Sequence, residues 1–201
     1  MTSFEIPSDN LEHVLESQFI DRPNQFLVRC YLKDGTVIRA FLPNPGRMWE
    51  LLLPETRLFL SENKLTSEKR KTQYTVIGAE REGTILFLHT GLTNCVARYL
   101  IEANKIPSLV NSMIAATEIR VGHNRFDFLL SRGEEKRYLE VKSCTRYVNR
   151  IAMFPDAITT RGKKHLLALA ALSKEKIKPI VLFVVHTPHV DWFMPDYHSD
   201  I

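Results

Sequence analysis

The sequence predicts a chain of the α+β or α/β class in two domains: an OB-like β-barrel over residues 1–83, then an α/β domain with a mixed sheet over residues 84–201. Short apolar segments separated by turn residues fill the first 80 or so positions, as is typical of small barrels. The second half instead orders its segments as helix, three strands, helix and strand. A length of 201 residues suits one large domain or two small ones.

Two hairpins carry the barrel prediction. In the first, segments 26–32 and 36–42 flank Asp34-Gly35, a pair suited to the positive φ of a tight turn. The second hairpin turns at residues 81–83. Between them, RLFLSE at residues 57–62 predicts another strand, which brings the number of barrel strands to five.

One apolar piece, residues 48–53, ends at Pro54 and predicts a short helical insert among these strands. Five short strands with such an insert suggest a closed barrel such as an OB-fold. Regular antiparallel alternation fits a β-sandwich almost as well, so the sandwich stays an alternative at this point.

The second domain follows from a change of periodicity. Apolar residues recur with a helical period from Asn94 to Asn104, and again from about Thr160, where Thr159 or Thr160 is the expected N-cap. Three strand-like segments lie between the two helices, at residues 118–121, 125–130 and 138–143. The run IVLFVV follows the second helix and is typical of a strand buried on both faces. A strand–helix–strand order predicts a parallel pair within a mixed sheet.

Composition limits the classes of function. A net charge of +4 permits an anionic partner without requiring one. The three cysteines are scattered and form no C-x-x-C pair, which argues against a zinc knuckle or a disulfide framework and predicts reduced thiols in a cytoplasmic protein. The first residues lack the apolar run of a signal peptide, and the longest apolar runs are too short to span a membrane. We therefore expect no membrane partner.

Three charged residues, Asp127, Glu140 and Lys142, lie on two apolar segments joined by Gly133-Glu134. A hairpin symmetric about this turn places Asp127 opposite Glu140, and Lys142 shares a face with Glu140 because the two are two residues apart. A bulge or a register shift would change that pairing. The alternative is a solvent-exposed hairpin face on which Lys142 bridges both acids.

Two neighbouring carboxylates repel each other unless a cation neutralises them. Mg²⁺ or Mn²⁺ does so with oxygen ligands, and Mg²⁺ is usually held by one or two protein carboxylates. A lysine beside such a metal can orient or deprotonate the attacking water or steady a phosphate. Asp127, Glu140 and Lys142 are therefore the candidate catalytic residues for phosphodiester hydrolysis, and Glu118 and Glu102 offer two further acids to the metal.

Basic residues in two places suit a phosphate backbone. Arg161, Lys163 and Lys164 lie in the first turns of the second predicted helix, where cations oppose the helix dipole and an anion would relieve them. Arg47 follows a rigid Pro-Asn-Pro-Gly turn in the barrel domain. A solvated basic face and plain turn chemistry are the alternatives. Both tryptophans, Trp49 and Trp192, are expected to be packed rather than to stack on bases.

The order of these residues, an acid on a helix, Asp on a strand and E-x-K on the next strand, resembles the PD-(D/E)XK nuclease superfamily. The whole chain resembles the sugar fermentation stimulation protein A (SfsA) family. The matching segments cover most of the chain in order: LPNPGRM (42–48), HTGLTNCVARYLIEANKIP (89–107), RFDFLL (125–130), YLEVKSCT (138–145), FPDAITTRGKKHL (154–166) and VLFVVH (181–186).

That resemblance implies a nucleic-acid-binding OB-like barrel followed by a nuclease-like domain, with its site at Asp127, Glu140 and Lys142. It also implies DNA binding, weakly sequence-specific, and a role in regulating sugar metabolism. The alternative is an active Mg- or Mn-dependent nuclease acting on DNA or RNA. A carbohydrate-responsive protein is suggested by the family name alone, and a homodimer stays an alternative to a monomer. Compared with the family pattern the chain ends early, so a final helix and strand are expected to be absent.

Overall fold

A computed structural model of the chain describes residues 14–63, 72–157, 160–173 and 177–199, with the side chain of Arg161 outside that description. The chain forms two compact units. The first unit contains the chain up to Gly91 and two later segments, residues 145–157 and 185–199. The second contains residues 92–144 and 158–184. The sequence, by contrast, suggests a single division at residue 83.

The first unit is built on a closed barrel of five strands. The strands of its sheet are β1 (Val14–Asn24), β2 (Leu27–Leu32), β3 (Val37–Phe41), β4 (Arg57–Glu62), β5 (Tyr74–Arg81) and β6 (Thr84–Phe87). Their order is β3-β2-β1-β4-β5-β6, and β3 also pairs with β5 in parallel. That last pairing closes β1 to β5 into a ring, which confirms the predicted barrel over the sandwich, and β6 extends the sheet beyond β5.

Strand β1 is absent from the sequence prediction, which counted β2 to β6 as the five barrel strands. β1 lies centrally and pairs with both β2 and β4. Its sequence, VLESQFIDRPN, mixes polar and apolar residues, and its register against β2 shifts between Phe19 and Asp21 and again before Asn24. These bulges interrupt the two-residue alternation that identifies a strand. Only Ser17 and Phe19 of β1 are buried, at 3% and 6% exposure.

The helical insert predicted at residues 48–53 is wrong, because this segment is a turn. Met48 has a left-handed backbone with a φ of 51°, which an ordinary α-helix does not accommodate. The Met48 carbonyl instead accepts hydrogen bonds from Leu51 N at 3.1 Å and Leu52 N at 2.9 Å. Met48 and Leu51 are buried in the barrel core, so their apolar side chains anchor a turn and not a helix face.

A small sheet completes the first unit. Its strands are β10 (Tyr147–Val148), β11 (Ile151–Phe154) and β13 (Trp192–Pro195), with β11 antiparallel to β10 and parallel to β13. Tyr147 packs into the barrel core, and its ring lies under the guanidinium of Arg81 at 4.3 Å. This sheet was not predicted, since its strands are only two to four residues long and show too little alternation to be recognised.

The second unit is a mixed sheet with two helices. Its elements are α1 (Thr93–Glu102), β7 (Met113–Val121), β8 (Asn124–Arg132), β9 (Glu135–Cys144), α2 (Thr160–Leu172) and β12 (Ile180–Val185). The strand order is β12-β9-β8-β7, so β12, which follows α2, neighbours β9, the last strand of this sheet before α2. Both predicted helices and all four predicted strands are present. The proposed cap residue Thr159 lies outside the described residues.

Burial of β12 differs from the expectation. All six of its side chains are half-buried rather than buried on both faces, because β12 is an outer strand of the sheet. Ile180, Leu182 and Val184 pack on a cluster that also takes Ala97 and Ile101 from α1. A second cluster joins α2 to the sheet through Leu169, Leu172 and Phe126.

Among the described residues, no helix is long and apolar enough to cross a membrane.

Candidate functional site

The β8–β9 hairpin brings the predicted acids together. Its ladder runs from Arg132 paired with Glu135 to Phe128 paired with Leu139, the register of a symmetric hairpin. One residue further along β8, at Asp127, the side chain rather than the backbone carbonyl accepts the hydrogen bond from β9. Its Oδ2 accepts a hydrogen bond from the backbone N–H of Val141 at 2.7 Å. This bond ties the Asp127 carboxylate to β9 beside Glu140.

Asp127 is half-buried and held from two sides. Its second oxygen, Oδ1, accepts a hydrogen bond from Nδ2 of Asn94 at 2.8 Å. Burial raises the pKa of Asp127 above its usual range, against the hydrogen bonds from Val141 and Asn94, and the neighbouring Glu140 charge raises it further. The sequence did not single out Asn94, because an asparagine at a helix start is commonly a capping residue.

Glu140 is a buried acid with an ion-pair partner. Only 4% of the residue is exposed, and its Oε1 accepts a hydrogen bond from Nζ of Lys142 at 2.5 Å. The side chain of Lys142 is itself only 14% exposed. The alternative of a solvent-exposed hairpin face is therefore wrong for this part of the hairpin. The other carboxylate oxygen, Oε2, is buried and has no hydrogen-bond partner among the described residues.

His165 also contacts Glu140. Its Nδ1 lies 2.8 Å from Glu140 Oε1, so Nδ1 carries the donated proton because a carboxylate oxygen can only accept. The ring sits edge-on to Phe126, with 6.4 Å between ring centroids. From the sequence alone, a packing or capping role is expected for His165 rather than a role as a metal ligand. Its contact with the acid arises only when α2 packs over the sheet.

The two additional acids lie on other partners. Glu118 has a left-handed backbone with a φ of 54°, and its half-exposed carboxylate pairs with Arg125 at 2.8 Å. Glu102, at the end of α1, pairs with Arg98 at 3.5 Å. Within the described ranges, no group of three or more His, Cys, Asp or Glu side chains converges as a metal cluster would. Supporting roles for Glu118 and Glu102 stay predictions.

The donor atoms at Asp127 and Glu140 fit a hard divalent cation. Both groups are carboxylates, the ligands that Mg²⁺, Mn²⁺ and Ca²⁺ prefer. Glu140 Oε2 is a buried oxygen without a protein donor, and such an oxygen is costly unless a cation or water satisfies it. Each oxygen of Asp127 accepts one hydrogen bond and keeps a second lone pair. Lys142 and His165 both occupy Oε1, which leaves Oε2 to a metal.

The predicted nucleic-acid-binding residues lie on the surface where the structure describes them. Lys163 and Lys164 are exposed on α2, and the side chain of Arg161 lies outside the described part of the chain. Arg47 is exposed, and its guanidinium carbon lies 5.1 Å from the ring centroid of Trp49. The expectation that both tryptophans are packed is wrong, since Trp49 and Trp192 are each 72% exposed.

Comparison with known proteins gives consistent matches over nearly the whole chain. The family profile "Sugar fermentation stimulation protein RE domain" matches residues 91–201, and "SfsA N-terminal OB domain" matches residues 20–88. The sugar fermentation stimulation protein homolog of Methanosphaera stadtmanae is 36% identical over 95% of this chain and 80% of its own length. That of Clostridium kluyveri is 36% identical over 94% of this chain and 81% of its own length.

A solved structure shows the same fold. Pyrococcus furiosus SfsA, solved in complex with Ca²⁺, superposes with a TM-score of 0.86 at 25% sequence identity. The match covers 98% of this chain and 82% of the Pyrococcus chain.

Proposed function

The chain belongs to the sugar fermentation stimulation protein (SfsA) family, with an OB domain followed by an RE (restriction endonuclease-like) domain, and on that premise we propose that it is a DNA-binding protein with a divalent-metal site in its RE domain. One observation carries the proposal. Asp127, Glu140 and Lys142 converge on β8 and β9, and Glu140 presents there a buried oxygen that no described group satisfies.

The residues of this chain divide the work of the site. Asp127 and Glu140 supply the oxygen ligands, with Mg²⁺ or Mn²⁺ as the proposed metal, and the Ca²⁺ in the Pyrococcus relative has the same preference for oxygen. A bound divalent ion would stabilise negative charge on a phosphate oxygen and lower the pKa of a bound water. Asn94 and the Val141 N–H orient Asp127.

Lys142 and His165 orient Glu140 through hydrogen bonds to Oε1. The ammonium group of Lys142 also places a positive charge next to the two acids, where it supports a phosphate. This arrangement suits contact with a phosphodiester backbone, and it does not by itself distinguish one nucleic acid from another.

Each unit carries positive side chains that could contact nucleic acid. We propose Lys163, Lys164 and Arg161 on α2 and Arg47 on the barrel, since exposed cations attract phosphates without regard to sequence. DNA is the proposed partner, with RNA as the alternative. A regulatory role in sugar metabolism is proposed from the family's name, and no contact within the chain carries it.

A second candidate function is a metal-dependent phosphodiesterase. It is favoured by the buried ion pair between Glu140 and Lys142, because a lysine held next to a metal ligand is placed to orient or activate water. The two functions share one site and differ in whether bound nucleic acid is cut.

Calorimetric titration with Mn²⁺ and with Mg²⁺ tests the metal site. We expect one ion per chain, and we expect Asp127→Asn and Glu140→Gln each to weaken binding by at least about 10-fold, because each removes a charged ligand. Glu118→Gln is the matched control, since this acid is bound to Arg125 on the surface. An equal loss of metal affinity in all three variants would show that Glu118 is also a ligand. Metal affinity that is unchanged in Asp127→Asn would refute the site.

Incubation of single- and double-stranded DNA and RNA with the protein and Mn²⁺ separates the two functions. Cleavage by the parent and its loss in Lys142→Met selects the phosphodiesterase, and retained binding without cleavage selects the binding protein. Because Lys142→Met leaves Glu140 with fewer partners in a buried position, circular dichroism should first show that the variant is folded.

A further inference from the structure

The loop that carries Arg47, residues 43–49, is held in one conformation by Arg22. This arginine extends from β1, and its guanidinium donates four hydrogen bonds to backbone carbonyls. The acceptors and distances are Gly46 at 2.7 Å, Arg47 at 2.8 Å, Gln25 at 2.7 Å and Asn44 at 3.0 Å. Arg22 is partly buried in doing so, which makes these bonds stronger than they would be in water.

Two further contacts fix the same loop. Asn44 is 3% exposed, and its Oδ1 accepts a hydrogen bond from Gly46 N at 2.9 Å. The Asp156 carboxylate lies against Gly46 so closely that a Cβ at this position would collide with it. Met48, at 2% exposure, anchors the far side of the loop in the barrel core. The loop is therefore rigid before any ligand arrives.

This rigid loop exposes an arginine and a tryptophan side by side. Trp49 is 72% exposed although it follows a buried methionine, and the Arg47 guanidinium lies over its ring at 5.1 Å. Arg47 forms no ion pair with any acidic residue in the described part of the chain, so its charge is available to a ligand. The pair contributes little burial to the barrel, and its fixed position reduces the entropy lost on binding.

We propose that Trp49 and Arg47 form a binding site for an unpaired nucleotide of single-stranded nucleic acid, with the base stacked on the indole and its phosphate paired with the guanidinium. The site rests on the proposed function, because it takes the same class of ligand. Indole faces bind bases of any sequence, and an arginine beside them neutralises the phosphate. Bases inside a duplex stack on each other and do not offer a free face, so the ligand is single-stranded.

Tryptophan fluorescence tests the site directly. The chain has two tryptophans, so Trp192→Phe leaves Trp49 as the sole reporter. A 12-nucleotide oligothymidine, added in EDTA so that no metal-dependent cleavage occurs, is expected to quench Trp49 with saturation. A blunt duplex of the same length is expected to quench it much less. In the complementary variant Trp49→Phe, Trp192 should not respond to either ligand.

Affinity measured by fluorescence anisotropy of the labelled oligothymidine provides the second readout. Trp49→Ala is expected to weaken binding by about 5- to 150-fold, the range of one lost base stack, and Trp49→Phe to retain most of the affinity. Trp192→Ala is the matched control, since Trp192 has the same 72% exposure, and its affinity should equal that of the parent. Arg47→Gln should weaken binding and flatten its salt dependence.

Two failures are distinguishable. If the oligonucleotide binds but Trp49→Ala and Trp192→Ala leave its affinity unchanged, the nucleotide site is refuted and the proposed DNA-binding function stands. If the parent binds neither single strand nor duplex at any salt concentration, the proposed function fails as well. Equal quenching by single strand and duplex would also refute stacking on an unpaired base, because the bases inside a duplex already stack on each other.

Discussion

At the scale of single residues, Glu140 is the most informative side chain. A carboxylate that is 5% exposed has lost most of its hydration, and an unpaired charge in such a place is strongly destabilising. Lys142 and His165 satisfy Oε1, whereas Oε2 faces no described donor. The buried Oε2 is therefore the atom at which we propose that a cation binds. This is the reason that the metal site is proposed here and not at the exposed Glu118.

His186 gives a residue-scale prediction about pH. Burial lowers the pKa of His186 to about 4, because a charged imidazole is poorly solvated beside Phe87, whose ring centroid is 5.7 Å away. The unfolded chain takes up this proton near pH 6.5, and the folded chain only near pH 4. We therefore expect the free energy of unfolding to fall as pH falls from 6.5 to about 4, by up to roughly 3 kcal/mol.

Urea unfolding at several values of pH in this window checks the prediction. His186→Gln should flatten the pH dependence, since glutamine does not titrate. His123→Gln, at an exposed histidine, serves as the control and should keep the profile of the parent. A profile that is unchanged in His186→Gln would show that other groups cause the loss of stability.

At the scale of elements, two short stretches position the candidate sites. The β8–β9 hairpin places an aspartate side chain in the hydrogen-bonding line of the strands, which fixes a carboxylate more firmly than a loop would. The loop at residues 43–49 uses the reverse arrangement, in which the side chain of Arg22 donates hydrogen bonds to three backbone carbonyls of an irregular segment. Such carbonyls would otherwise need water or a regular neighbour strand.

Gly46 provides the element-scale prediction. Gly46→Ala should lower the free energy of unfolding by about 1–3 kcal/mol, because the new methyl group would overlap the Asp156 carboxylate and force the loop to shift. In an Asp156→Ala background the same substitution should cost less, since the colliding group is gone. Chemical denaturation of the two single variants and the double variant measures this coupling. Additive losses would show that Asp156 is not the obstacle.

At the scale of the whole molecule, charge is distributed unevenly over a chain of net charge +4. One open groove on the barrel is lined by glutamates as well as by Lys33 and Arg57. The four glutamates are Glu16, Glu55, Glu80 and Glu82. Lys33 and Arg57 are already paired, with Glu16 and Glu80 respectively. Phosphates are therefore expected to avoid this groove and to meet the cations of α2 and of the Arg47 loop.

Salt dependence gives the whole-molecule prediction. DNA affinity should fall steeply between low and high salt, because each phosphate contact releases counterions. Lys163→Gln and Lys164→Gln should each reduce the slope of log affinity against log salt by about 0.9 for duplex DNA. Lys33→Gln, which removes a cation already bound to Glu16, is the control and should leave the slope unchanged. Affinity that is independent of salt would contradict phosphate contacts altogether.

The sequence by itself determined the class of the fold and the central acids of the candidate site. The predictions came from local patterns, which can be read from neighbouring residues before the fold is known. These patterns are turn pairs such as Asp34-Gly35, the change from strand to helical periodicity and the two-residue spacing of Glu140 and Lys142. The barrel, the mixed sheet and the hairpin register follow from them. Strand β1 was not predicted, because its bulges remove the alternation on which a strand prediction depends.

Tertiary structure alone decided which other side chains reach the site and which stay on the surface. Asn94 lies 33 residues from Asp127, and His165 lies 25 residues from Glu140, so neither contact has a spacing that a sequence pattern can show. The exposure of Trp49 depends on how a turn anchored by Met48 meets the barrel. Contacts between distant segments arise from the packing of whole elements, and that packing is settled by buried area and shape across the fold rather than by neighbours along the chain.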